Sequence, residues 1–340
     1  MKLLTIAVPC YNSEAYMEHC LETLLPGGED VEILIIDDGS AKDRTPEIAD
    51  EYAARYPGIV RTIHQENKGH GGAVNTGIDN ARGLFFKVCD SDDWFDAEAY
   101  QKVLETLRRI VHGSVMIDVL FSNYTYNKEN RKVKNWTMHY EKFFPQDRPF
   151  GWNEVRHIDF THYVLMHSII YRTQLLRDVG LRLPEHTFYV DNIYAYEPFS
   201  MVHTMYYLNV NLYQYYIGRP DQSVNMDVMM GRLDQQLRVN YLMIDYLPRI
   251  RNIRGKQKDY MLHYLTIITA ITSVLMIKTG DPELLRKKKE LWQHMKQVDP
   301  HSYYWVRRGI LGQGINLPGK GGRKVIIFCY RMAQKLFGFE

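Results

Sequence analysis

The chain has 340 residues, 42 Lys+Arg against 40 Asp+Glu, 45% hydrophobic residues and four cysteines. That length and apolar share support a large core, and they exclude a disordered or disulfide-stapled chain. The charge is divided unevenly: residues 1–225 carry 22 Lys+Arg against 31 Asp+Glu, and residues 226–340 carry 20 against 9, so an acidic body precedes a basic end that suits either an anionic partner or a solvated helical face.

In chain order, Leu3–Pro9 is an apolar, β-rich run closed by Pro9-Cys10-Tyr11-Asn12, and Ser13 opens an amphipathic helix to about Leu25. Leu3–Val8 is too short for a secretory signal and Pro9 ends it. With no CxxC pair, Cys10, Cys20, Cys89 and Cys329 are expected to be reduced thiols in a cytoplasmic protein. Val31–Asp38 is a second buried strand ending in acids before a Gly39-Ser40 turn. A helix follows over about Thr45–Tyr56, then a strand over Val60–His64, then a glycine-rich loop, Asn67–Gly77, leading into a helix. The loop lacks the Gly-Lys-Ser/Thr of a phosphate-binding P-loop and follows the third strand rather than the first.

Phe85–Trp94 (FFKVCDSDDW) is a short aromatic run that stops in Asp90, Asp92 and Asp93. Carboxylates so close repel unless a cation neutralises them, and Asp-x-Asp spacing offers two oxygen donors to one Mg²⁺ or Mn²⁺. The competing reading has Asp92 or Asp93 capping a helix that begins near Asp96. Four near-continuously apolar strands alternating with helices predict an α/β fold, a doubly wound, mainly parallel sheet with helices on both faces. In such sheets ligands bind beyond the carboxyl ends of the strands, where Tyr11/Asn12, Asp37/Asp38 and Asp90/Asp92/Asp93 all fall.

These residues carry a resemblance. Pro9-Cys10-Tyr11-Asn12, Asp37-Asp38-Gly39-Ser40, the spaced pattern from Asn67 through Asn75 to Gly77, and Asp90-Ser91-Asp92-Asp93-Trp94 together resemble the family-2 glycosyltransferases of GT-A fold. The resemblance covers residues 1 to about 225 and is densest in the first 100. It implies a mixed, mainly parallel GT-A sheet in which 1–110 bind a nucleotide sugar and 111–225 hold the acceptor side and the catalytic base. By resemblance Tyr11 stacks on the base of the donor and Asp38 accepts from it. Asp37 and Lys68 are further partners, and Pro9, Asn12, Gly69, Asn75 and Ser91 line the donor site. Asp90 faces the ribose side, and Asp92, with Asp90 as a second candidate, binds the metal on the diphosphate. Asp43 stands one place later than the family's usual acid, which leaves helix capping as the simpler role.

Farther on, Val119–Tyr126 and Val133–His139 bracket a polar tip and read as a hairpin. Trp136, His139, Tyr140, Phe143, Phe144 and Trp152 suit either core packing or an acceptor site. Trp94 and His167 are weak acceptor candidates, and His167–Arg172 reads as a strand. The family's Glu-Asp pair is replaced by Val190-Asp191, which leaves Asp191 as the base and Glu197 as its alternative. Arg219, before a Ser-containing loop with Gln222 and Ser223, suits a diphosphate. The Gln-x-x-Arg-Trp motif of processive members is absent. From 226 to 340 the texture is helical and basic, with helices near 230–247, 257–278, 283–297 and 323–337. Leu262–Ile277 is apolar but short of a membrane span, so a buried helix is expected. Arg323–Phe339 is a basic amphipathic pattern fit for an anionic membrane surface, the body of the protein or a second subunit.

The sequence therefore predicts a metal-dependent inverting glycosyltransferase in the cytoplasm, either soluble or peripheral on the inner face of the cell membrane. It would move one sugar from a nucleoside diphosphate donor, a UDP-sugar, to a glycan or lipid-linked acceptor in surface-polysaccharide synthesis, with Mn²⁺ or Mg²⁺ and with no nucleic acid. The rival readings are a nucleotidyltransferase, disfavoured by Pro9–Asn12 in place of a Gly-rich first loop, and an inactive sugar-nucleotide-binding protein.

Overall fold

The computed structural model describes residues 2–128, 135–217 and 226–337, and of 226–227 and 333–337 only the backbone. Arg219, Gln222, Ser223, the hairpin tip and the side chains of Lys335, Leu336 and Phe337 lie outside the described residues. Two compact units form: residues 1–157 with 164–219, and residues 158–163 with 220–340.

The first unit is built on one sheet. Its strands are β1 (Lys2–Cys10), β2 (Val31–Asp37), β3 (Val60–His64), β4 (Gly83–Val88), β5 (Trp94–Phe95), β6 (Val119–Lys128), β7 (Trp136–Met138), β8 (Pro149–Phe150), β9 (Ile169–Arg172) and β10 (Met205–Ile217). Their order is β3-β2-β1-β4-β9-β6-β10-β5, with β7 on β6 and β8 on β10. The longest pairings are parallel: β3, β2, β1 and β4 form one parallel half, and β6 with β10 another. The short β9 joins them antiparallel to both neighbours. This is the mixed, mainly parallel sheet expected. β1 and β2 are near-continuously apolar because both faces are covered. The helices of this unit are α1 (Met17–Leu24), α2 (Thr45–Arg55), α3 (Gly69–Asn80), α4 (Ala97–Val111), α5 (Thr173–Asp178) and α6 (Asp191–Tyr196).

Two local readings are corrected. Most of the glycine-rich segment is not a loop: α3 begins at Gly69 and contains Gly71, Gly72 and Gly77. Glycine weakens a helix, but packing of this one requires it, since a β-carbon on Gly71 would stand 2.6 Å from the Pro184 carbonyl. The cap of α4 is Asp96, which accepts from Ala99 N at 2.9 Å, so neither Asp92 nor Asp93 serves as the cap. The crowded aromatics after the hairpin are largely core: Tyr140, Phe143 and Phe144 are buried, and Phe144 stacks on Phe121.

The second unit is helical: α7 (Met226–Gly231), α8 (Leu233–Asp245), α9 (Gly255–Thr279), α10 (Pro282–Val298), α11 (Pro300–Arg308), α12 (Ile310–Ile315) and α13 (Gly319–Phe337). Among the described residues α9 is the one helix long and apolar enough to cross a membrane, and 94% of its apolar window is buried. α8 and α10 to α13 pack on it, which makes it the core helix of this unit. The helices at 300–315 were not apparent from periodicity, being two short segments separated at Gly309.

Candidate active site

The site is set by how β4 ends. Cys89 N still donates to Ala7 O as if the strand continued, and the chain then turns, with Asp93 N donating to Asp90 O. The turn is pinned from β10: Tyr213 Oη donates to Asp93 Oδ2 at 2.5 Å, Tyr216 N donates to Asp93 Oδ1 at 2.8 Å, and Asp90 N donates to Tyr213 Oη at 3.1 Å. Asp93 is fully buried. Burial, then the charges of Asp92 and Asp90, push its carboxyl well above the usual range. Its geometry makes it the anchor of the turn. Asp90 and Asp92 are half-buried.

His70, on the first turn of α3, pairs with Asp90 through Nε2 and Oδ1 at 2.8 Å. Burial raises the Asp90 carboxyl, but the charge and hydrogen bond of His70 overcome it and hold Asp90 below its ordinary value. His70 in turn is disfavoured as a cation by burial and favoured by Asp90, Asp191 and Asp92, with a net rise. Asp191, the first residue of α6, therefore shares an electrostatic neighbourhood with His70, Asp90 and Asp92. Burial is the largest cause of its rise to about 6, with Asp90 adding and His70 opposing. A carboxylate poised there is ionised at neutral pH yet basic enough to take a proton.

His167 sits in a 3₁₀ turn, Met166–Ser168, just before β9 rather than in the strand. His167 is 6% exposed, and neither ring nitrogen has a hydrogen-bond partner among the described residues. One of its nitrogens and carboxylate oxygens of Asp90 and Asp93 all lie within 4.8 Å of one another. Burial lowers its pKa to about 4, so the ring is neutral at pH 7. An orphaned neutral imidazole beside acids matches the donor set of a divalent cation. The residues present thus fit a metal. Lys87, fully buried on β4, donates to the carbonyls of His167 at 2.8 Å and Ile169 at 3.2 Å and fixes this turn. Desolvation takes its pKa down to about 7.

The segment before Asp191 is docked onto α3. Asn75 Nδ2 donates to Leu183 O and its Oδ1 accepts from Leu183 N, at 2.8 and 2.9 Å. His186 N donates to Lys68 O, and a β-carbon on Gly69 would come within 3.0 Å of the His186 backbone. His186 and Tyr189 take positive φ, of 50° and 65°, in turning the chain towards Asp191.

The match to a known family covers His70, the Asp90–Asp93 turn and His167 and ends before Asp191. Residues 5–173 fit the model of the family described as glycosyl transferase family 2. Residues 5–173 belong to glycosyl transferase family 2.

Among relatives of this family 2 domain, the putative glycosyltransferase EpsH of Bacillus subtilis is 43% identical over 104 residues, 30% of each chain. The minor teichoic acid biosynthesis protein GgaA of Bacillus subtilis is 35% identical over 140 residues, 39% of this chain and 31% of that protein. The chain thus spans about a third of these relatives' length. The crystal structure of S. aureus TarS 1–349 superposes with a TM-score of 0.68 at 18% identity, covering 98% of this chain and 92% of that one. The TarS 1–349 complex with UDP-GlcNAc gives a TM-score of 0.53 at 19% identity over 90% of each chain.

The family 2 domain holds its other expected donor residues at the ends of β1 and β2. Tyr11 is 53% exposed and its ring is open to solvent. Asn12, at φ 49°, donates its N to Ser40 Oγ and accepts from Lys42 N. Pro9 lies within β1, in register with Ile36. Asp38 is buried, its Oδ1 accepting from Gln65 Nε2 and Lys68 N at 2.6 and 2.9 Å. Asp37 accepts from Ser40 N and pairs with His64. Ser91 Oγ lies 2.9 Å from Ser13 Oγ. Asp43 accepts from Thr45 N at the start of α2. Trp94 packs edge-on against His19 and beside Tyr216. His70 and Lys87 were missed from the sequence. His70 stood out only as a histidine inside a glycine run, and Lys87 was hidden inside an apolar strand.

Proposed function

We propose that the chain is a metal-dependent inverting glycosyltransferase that moves one sugar from a UDP-sugar to a glycan or lipid-linked glycan acceptor at the cytoplasmic face of the membrane. The observation that carries this reading is the shared neighbourhood of Asp191, His70 and the Asp90–Asp93 turn beyond the carboxyl end of β4. Asp92 and Asp90 would hold Mn²⁺ or Mg²⁺, and the neutral His167, which groups with Asp90 and Asp93, would add a nitrogen ligand on the Asp90 side. When bound, the cation would neutralise the donor's diphosphate and ease its departure. Tyr11 offers a ring for the base of the donor, and Asp38, held by Gln65 and Lys68 N, an acceptor oxygen beside it. Asp191 takes the proton of the acceptor hydroxyl as that oxygen attacks the anomeric carbon from the side opposite the diphosphate. His70 lowers both acids, but it hydrogen-bonds Asp90 directly, whereas burial outweighs it at Asp191 and leaves that carboxylate the more basic of the two.

The surface-polymer setting is supported by GgaA, whose name places it in teichoic acid biosynthesis. A panel of nucleotide sugars tests the reading, scored by release of free nucleoside diphosphate with Mn²⁺. UDP released from at least one UDP-sugar is expected. Pyrophosphate as the released product would favour a nucleotidyltransferase instead.

A further inference from the structure

A cavity of about 510 Å³ opens in the helical unit between α10, α11 and the segment joining α12 to α13. Its wall is one face of α10, where Leu285, Lys288, Lys289, Trp292, Gln293 and Lys296 recur at helical spacing. Arg323 of α13 and Tyr303 of α11 close it. Among the described residues none that lines it is Asp or Glu.

The cations on α10 divide into two sets. On the outer side Lys287 pairs with Asp234, and Arg286 pairs with Glu290. Around the cavity Lys288, Lys289, Lys296 and Arg323 make no ion pair among the described residues. Lys288 instead donates to the neutral Asn316 Oδ1 at 2.9 Å, and Lys296 lies over the rings of Tyr303 and Tyr304. Burial, with the nearby Arg307, depresses Lys288 to about 8. Four cations that gather without counter-charge repel one another unless an anion joins them.

The face of α13 turned away from Arg323 and the cavity is exposed and apolar. On α13, Val325, Phe328 and Met332 are 52%, 64% and 42% exposed and recur at helical spacing, while Ile326 is buried. Leu317, before α13, is 42% exposed and also lines the cavity. A helix with an exposed apolar stripe on one face and a basic recess behind the other matches an interfacial helix at an anionic bilayer.

We propose that this cavity seats the phosphate of a membrane phospholipid, with the Val325–Phe328–Met332 stripe on the outward face of α13 entering the acyl boundary and the cavity behind that helix at headgroup depth. The site belongs to the helical unit alone and does not depend on the catalytic reading of the first unit. The full chain is tested by co-sedimentation with vesicles of phosphatidylcholine alone and of phosphatidylcholine with phosphatidylglycerol. Wild type partitions onto the anionic vesicles, and Lys289→Gln with Lys296→Gln weakens this by roughly 10- to 30-fold, from the usual contribution of a basic residue at a membrane surface. Both lysines are exposed, so the fold tolerates the change. Lys102→Gln with Lys142→Gln, an equal loss of charge on the first unit, leaves partition within about twofold. Phe328→Ser also weakens partition. Equal losses for the two double variants, or none for Lys289/Lys296, would overturn the proposal. So would soluble glycerol phosphate binding wild type as tightly as the vesicles do. UDP release from UDP-sugars in vesicle-free buffer is unchanged in the double variant. Failure of wild type to release UDP would refute the glycosyltransferase reading and leave the vesicle result standing.

Discussion

Two aspartates near one histidine are pushed in opposite directions. Asp90 contacts His70 directly and is held low; Asp191 feels His70 less than its own burial and rises to about 6. That difference supports the proposed roles, because a ligand for a cation needs to stay ionised and a base needs affinity for a proton. Asp191→Asn keeps size and hydrogen bonding but cannot accept a proton. It should preserve UDP affinity and lower the transfer rate by about 10²–10⁴-fold. Wild-type transfer should rise with pH through about 6 as Asp191 loses its proton, and that limb should vanish in the variant. A pH–rate profile of donor turnover with acceptor, alongside UDP titration of the variant, checks both. The sequence brought Asp191 forward as a candidate through its motif position, despite Val190 where the family has an acid. It gave no hint of His70, whose role exists only because α3 carries it to the end of β4.

The helix that begins in glycines joins donor side to base side. α3 carries Lys68 O and Asn75 to the 183–186 strand of chain, which then runs through two left-handed residues to Asp191. Gly69 itself sits at φ 73°, a region costly to residues with a β-carbon, and faces the His186 backbone. Gly69→Ala should therefore destabilise the protein by about 1–3 kcal/mol, read as a lower urea midpoint, and should lower donor turnover as well. The parallel strands were legible because continuous apolar runs ending in acids admit few other readings. The helix at Gly69 was not, since glycine content argues against a helix and only contacts 108 residues distant favour it. The two short helices at 300–315 escaped for a related reason: each is too brief to show a period.

At the scale of the molecule, acid and base are sorted by unit. The first gathers carboxylates at the edge of a parallel sheet, and the second gathers unpaired lysines around a cavity and an apolar helix face. The charge division read in the sequence thus becomes two clusters of opposite charge, for which a cation with a diphosphate and a lipid phosphate are the partners proposed above. Family membership and fold rest on motifs dense in the first hundred residues, whereas sugar and acceptor depend on side chains whose spacing follows no rule. The central claim is that the Asp90–Asp93 turn holds a cation and, through it, the donor's diphosphate. Calorimetric titration of UDP with and without Mn²⁺ tests it most directly. Wild type should bind UDP at least tenfold more tightly with Mn²⁺, a difference of about 1.4 kcal/mol, and Asp92→Asn and His167→Ala should each shrink that gain. UDP binding that ignores Mn²⁺, or a Mn²⁺ gain that survives Asp92→Asn intact, would contradict the account.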